Sequence, residues 1–199
     1  MAVLSGKKAI YKRFAGLAMP GKAVGRRTIK MGKIIGVDPA FRKKGMAVAV
    51  IDTEKKTVYA KQINGVIEFY LFISLFDKDD VESIVIEDAS LQNVTFLKSK
   101  NPNVAARLSR NVGMVQAVSA QIVHVAEEKF GEEKVYAISP KEKGTKIYDH
   151  ALFCAYLRSV GLVFIGSKSS QDVRDAVKIA SIGLNANFLN ILKNKRLQK

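Results

Sequence analysis

The chain has 199 residues, with 33 Lys and Arg against 18 Asp and Glu, a formal charge of +15 and 48% hydrophobic residues. That hydrophobic content excludes wholesale disorder, and the length suits one α/β domain with short appendages. No run approaches the roughly 20 apolar residues needed to span a bilayer, so the basic excess points to a polyanion, nucleic acid ahead of an anionic membrane surface.

The first segment, Met1 to Lys30, contains eight Lys/Arg and no Asp or Glu, and glycines and Pro20 interrupt it. A packed core element is not expected there. Three readings stand: a basic arm for phosphate contacts, an organellar presequence, or an upstream extension with Met31 as the functional start. The division expected is a basic arm over 1–32, one domain over 33–192 and a basic tail over 193–199.

From Lys33 the pattern changes. Lys33–Asp38 is an apolar run that reads as a strand buried on both faces. A turn around Phe41–Lys44 leads to a second strand, Gly45 to Ile51, and the polar stretch Asp52–Lys56 leads to a third, Thr57 to Ile63. Together these form an antiparallel meander. Val66 to Phe76 reads as a helix and Val81 to Ile86 as another doubly buried strand. A long helix follows from about Pro102 to Phe130, its apolar stripe at Leu108, Val112, Val115, Val118 and Ile122. Val135 to Ile138 is a short strand. Helices are expected over Tyr148 to Leu157 and Asp172 to Leu192, with the apolar run Leu162–Ile165 between them. The order predicts a mixed sheet with helices on both faces.

The single cysteine, Cys154, excludes an intramolecular disulfide and a Cys-rich zinc site. Within the apolar run Ala151–Leu157 it is expected as a buried core thiol, and the chain reads as intracellular. His124, on the long helix, reads as a packed or interface residue, and His150 as a helix-terminus residue.

Asp38 and Glu87 each end an apolar strand in a charge, where an unpaired carboxylate carries a cost of several kcal/mol. Asp88 would point to the opposite face and reads as a turn residue. Asp172 and Asp175, three apart, share one side of a helix near its N-terminus, and Asp175 adjoins the apolar Ala176, Ile179 and Ala180. Dipole complementation or capping would also explain acids in that first turn. If the four converge, their repulsion calls for divalent cations. Oxygen-only ligands suit Mg²⁺ or Mn²⁺. Two such ions could activate a water and stabilise the leaving 3′ oxygen of a phosphodiester. Metal-binding acids in a cationic chain point to nucleic-acid cleavage.

These motifs, in this order, resemble RuvC-like Holliday junction resolvases of the RNase H-like superfamily. Ile34-Ile35-Gly36-Val37-Asp38-Pro39 is similar to their first strand, and Ile84-Val85-Ile86-Glu87 to their second acidic strand. Leu108–Gly113 resembles the Arg/Gly-containing start of their long helix, making Arg107 and Arg110 candidates for DNA contact. Tyr136–Glu142 is similar to the late strand and basic turn. Asp172-Val173-Arg174-Asp175-Ala176 matches the closing Asp-x-x-Asp-Ala pattern. The resemblance spans roughly Lys33 to Gly183.

It implies an RNase H-like fold, three antiparallel strands followed by parallel ones. It implies a Mg²⁺-dependent endonuclease, with Mn²⁺ substituting and two ions per site. Asp38, Glu87, Asp172 and Asp175 would be the ligands. The substrate would be a four-way DNA junction, nicked symmetrically by a homodimer packed through the long helix around Val112–Ile122, in a bacterial or viral cytoplasmic setting. Lys141, Lys143 and Lys146 become candidates for the scissile phosphate. Departures are Ala40 where the family has glycine, a longer interval from Glu87 to Gly113, and Phe96 as the nearest aromatic for a junction-stacking role. Two other readings stay open: an inactive junction-binding protein of the same fold, and a nuclease acting on other branched DNA or RNA.

Overall fold

The computed structural model describes residues 32–40, 45–91, 101–166 and 168–197. The expected turn at Phe41–Lys44, the basic segment before Gly32 and Phe96 lie outside the described residues.

Three strands open the domain: β1 (Lys33–Asp38), β2 (Met46–Asp52) and β3 (Thr57–Ile63). Their Val, Ile and Ala content suits strands covered on both sides, and β1 and β2 are buried almost throughout. Helix α1 (Gly65–Ile73) follows, then β4 (Val81–Glu87) and the long helix α2 (Pro102–Phe130). Asn101 caps α2 by accepting from the amide of Asn103 at 3.0 Å, and Pro102 at the first helical position lacks the N–H that would go unpaired there. Strand β5 (Val135–Ile138), helix α3 (His150–Ser159), the two-residue strand β6 (Val163–Phe164), and helices α4 (Gln171–Ile182) and α5 (Ala186–Leu197) complete the order.

The strands form one sheet in the order β5-β4-β1-β2-β3-β6. β1, β2 and β3 pair antiparallel, while β4 pairs parallel to β1 and β5 parallel to β4. A meander extended by parallel strands on the β1 side is the RNase H-like arrangement, as expected. The expected apolar run Leu162–Ile165 supplies β6, parallel to β3 at the far edge.

Helices cover both faces. On one, Ile35, Val37, Val48, Ile84 and Ile86 pack with Phe69 and Phe72 of α1 and Ile122, Ala126 and Phe130 of α2. On the other, Ile34, Ala47, Ala49 and Val58 meet Phe153 and Leu157 of α3 and Val173, Ala176, Val177 and Ala180 of α4. The stretch Asp172–Leu192 is two helices, interrupted at Gly183–Asn185, and the second runs on to Leu197. That break lets α5 bring Leu189 and Leu192 onto Val85, Tyr136 and Ile138.

Helix α4 lies unusually close to β1. A Cβ at Gly36 would stand 2.3 Å from the Ala180 amide nitrogen and 2.4 Å from the Ala176 carbonyl oxygen. The glycine of the Gly-Val-Asp-Pro run is therefore required by packing, and Ala176 and Ala180 are the small residues that complete the seam.

Candidate active site

Alternation along the strands decides which acids can meet. In β1, Ile34 faces α4, so Gly36 and Asp38 do too. In β4, Val85 faces α4 and α5, which places Glu87 on that same side. The registers Val37↔Ile86, Asp38↔Ala47, Ala47↔Gln62 and Glu87↔Ile138 set one row across five strands: Ile138, Glu87, Asp38, Ala47, Gln62. Asp88 lies just beyond and serves as the turn residue expected, accepting from the Ser90 amide at 2.9 Å.

Helix α4 crosses this row. Ser170 caps it by accepting from the Val173 amide at 3.3 Å, and the buried Asp175 reaches the row from above. Asp38, Glu87 and Asp175 converge on the ammonium of Lys143, from the loop after β5. The Nζ lies 2.5 Å from Glu87 Oε2, 3.3 Å from Asp175 Oδ2 and 3.4 Å from Asp38 Oδ1. Glu87 Oε2 is buried and receives no well-directed hydrogen bond; its short contact to the ammonium is an ion pair of poor angle.

Three carboxylates and one ammonium leave excess negative charge in a place with little water. Burial is the main reason the Asp38 carboxyl is pushed up to about 7, helped by Glu87 and Asp175 and opposed by Lys143. For Lys143, burial works against the charge, but Asp38, Glu87 and Asp175 together hold its affinity for the proton above the ordinary lysine value. Asp38 can thus carry a proton at pH values where an ordinary carboxyl has lost it.

Asp172 is not part of this convergence. Three residues before Asp175, it stands nearly one turn nearer the helix start, and it accepts from Gln62 Nε2 at 2.7 Å. The expected four-acid cluster is accordingly three acids around a lysine, with the fourth tied to the next strands of the row.

Lys143, expected to face a phosphate, points inward, its side chain only 10% exposed. Lys141 and Lys146 are exposed on the same loop. Arg107 and Arg110 lie on the solvent side of α2. That helix is tied near the site by Gln116, which donates to the Ala89 carbonyl at 3.4 Å, just past Glu87. The stripe Val112, Val115, Val118 is half-buried and only Ile122 is fully buried. His124 is exposed and paired with Glu128, and His150 begins α3 behind its cap Asp149. Cys154 is not the buried thiol expected: it is half-exposed, 3.6 Å from His150 Nε2, because Phe153 and Leu157 take the core-facing positions of α3.

Residues not singled out from sequence hold the site in place. Arg174 is buried, and its guanidinium donates to the carbonyls of Ile147 at 2.7 Å, Tyr148 at 2.7 Å and Ser169 at 2.6 Å. One turn on, Lys178 donates to the Thr145 carbonyl. Gln171 links Arg174 to Asp175, donating to Asp175 Oδ1 at 2.8 Å and accepting from Arg174 at 3.2 Å. The helix that presents Asp175 therefore also fixes the loop that carries Lys143. A charged residue lodged between two acids, at Arg174, was the one available signal.

Among the described residues, no three His, Cys, Asp or Glu side chains are gathered closely enough to hold a metal ion as placed. The donor set nevertheless fits one: three carboxylates each turn an oxygen towards a single point, where a cation already sits. All-oxygen donors suit Mg²⁺ or Mn²⁺.

No protein-family profile matches the chain, and no curated protein matches it. Among solved structures, it is similar to T. thermophilus RuvC in complex with a Holliday junction substrate, at 15% identity and a TM-score of 0.45, covering 75% of this chain and 90% of that one. The strand order β5-β4-β1-β2-β3-β6 defines the fold by itself. No helix among the described residues is long and apolar enough to cross a membrane.

Proposed function

We propose that this chain is a metal-dependent, structure-selective endonuclease that resolves four-way DNA junctions by paired symmetric nicks. One observation carries the hydrolytic part: Asp38, Glu87 and Asp175, from two neighbouring strands and a helix, aim at one cation-binding point in a chain of net charge +15. The junction part is supported by the ordered resemblance of five segments to the RuvC-like resolvases.

In this reading Asp38, Glu87 and Asp175 are the ligands of Mg²⁺ or Mn²⁺, and Asp172 would join them for a second ion only by giving up its hydrogen bond from Gln62. The bound ion would supply the charge that makes water a nucleophile and stabilises the departing 3′ oxygen. The chain's own groups do the rest. Gln171 orients Asp175 by its hydrogen bond. Arg174 and Lys178 fix the 139–149 loop. The exposed Lys141 and Lys146, with Arg107 and Arg110 of α2, present positive charge to the phosphates, and the basic arm before the domain adds further contacts. Ile122 is taken up in this chain's own core, so the expected dimer face is shortened to the half-buried Val112–Val115 stretch of α2; two copies joined there would place two such sites on one junction.

The test uses a mobile four-way junction and a linear duplex of the same composition, each with Mg²⁺ or with EDTA. Symmetric nicks in the junction alone, abolished by EDTA, are expected. Unselective breakdown of duplex would remove the junction claim and leave a nuclease. Tight junction binding without cleavage in any divalent ion would establish a binding protein instead.

A further inference from the structure

We propose that the Lys143 ammonium and the divalent ion are alternative occupants of one point, so that the chain binds metal only by expelling Lys143 from among Asp38, Glu87 and Asp175. This rests on the metal-dependent reading above and goes beyond it by giving Lys143 a second position.

The argument is steric and electrostatic. The ammonium touches an oxygen of all three acids at 2.5 to 3.4 Å. Mg²⁺ demands oxygen at roughly 2.0 to 2.1 Å, so an ion drawing on the same three oxygens needs the space that Nζ fills. Two cations side by side in a site shielded from water would also repel strongly. Remaining in place is therefore not open to Lys143 once the ion binds.

The loop is built so that this side chain can leave while its neighbours stay. On one side Glu142 is anchored, its carboxylate accepting from the Ser139 amide at 2.7 Å. On the other, Lys178 holds the Thr145 carbonyl and Arg174 holds those of Ile147 and Tyr148. Only Lys143 and Gly144 lie between these anchors, and Gly144 has φ +73°, a conformation glycine adopts freely. Outside the acid cluster, the nearest cationic groups on the loop are the exposed Lys141 and Lys146. An expelled Lys143 would join them on the surface that faces phosphate.

The experiment measures Mn²⁺ binding directly, by titration calorimetry on the metal-free full chain and on Lys143→Met. The variant should bind Mn²⁺ about tenfold tighter or more, because it no longer competes with its own ammonium. A second measurement needs no variant. In the wild-type chain, acetylation of Lys143 by acetic anhydride, followed by mass spectrometry, should rise at least about fivefold on saturation with Mn²⁺, while Lys141 and Lys146 change by less than about twofold. These ratios follow from uncovering one buried amine among exposed ones. Wild-type Mn²⁺ binding with unchanged Lys143 protection would overturn this inference alone. Absence of saturable Mn²⁺ binding in both chains would overturn it together with the metal-dependent reading.

Discussion

Gly36→Ala tests how the site is assembled without touching any of its charged groups. The added methyl would lie 2.3 Å from the Ala180 nitrogen and 2.4 Å from the Ala176 oxygen, both backbone atoms, where ordinary contact begins at 3.4 Å. Helix α4 must therefore retreat from β1 by about 1 Å, since backbone cannot rotate aside as a side-chain tip does. A gap of that size forfeits a quarter to a half of the dispersion energy along the seam, and overpacking of this kind costs about 3 kcal/mol. With a urea dependence of about 2 kcal/mol per molar, the unfolding midpoint should fall by about 1.5 M. The same retreat carries Asp175 away from Asp38 and Glu87, and under the proposed nuclease reading a 1 Å misplacement would cost about a hundredfold in nicking rate. Both numbers are read on one preparation, by urea unfolding and by single-turnover cleavage. A variant within about 0.5 kcal/mol of wild type, with full activity, would refute the reasoning that α4 is seated by Gly36.

Two further outcomes are expected. Burial raises the Asp38 carboxyl from 3.8 to about 7 in the metal-free fold. Between those values the folded chain holds a proton that the unfolded chain has lost, so this group's contribution to stability is present at low pH and is lost as pH rises towards 7. Thermal melts in EDTA should show wild type declining more steeply than Asp38→Asn between pH 4 and 7; parallel profiles would reject the burial of that charge. Arg174→Met strips donors from the carbonyls of Ile147, Tyr148 and Ser169. It should lower the unfolding free energy by about 3 kcal/mol, since each orphaned partly buried group costs about 1 to 3. A loss below about 1 kcal/mol would show that the loop is held by other means.

Much of the fold was legible because burial pattern and strand ends were unambiguous. Lys33–Asp38 and Val81–Glu87 are apolar runs that end in acids, and both are strands with those acids on one side of the sheet. The long helix was legible to its ends, since Asn101-Pro102 starts it and Gly131, at φ 89°, stops it. The Gly183 interruption was harder to see: Ile182, Leu184 and Leu189 continue an apolar sequence that a single helix could also carry. The division of the four acids was not legible, because a spacing of three states only that Asp172 and Asp175 share a side. It is Gln62, more than a hundred residues away in sequence, that engages Asp172. Nor could spacing reveal that Lys143 turns inward. That depends on Arg174 and Lys178 reaching back across the loop, a tertiary arrangement with no local signature.

The shared row of Asp38 and Glu87 has a mechanical consequence. Their separation is dictated by the pitch of the sheet, about 4.8 Å between hydrogen-bonded neighbours. β1 is clamped on both edges, by β2 and by β4. Electrostatic pressure between these two acids therefore has almost no way to relax through the backbone, which behaves as a stiff frame. Relief comes instead from small parts: a proton on Asp38 and the tip of Lys143. The frame holds the two acids at a fixed spacing, so the demand for positive charge between them is met by side-chain tips and protons and not by movement of the sheet.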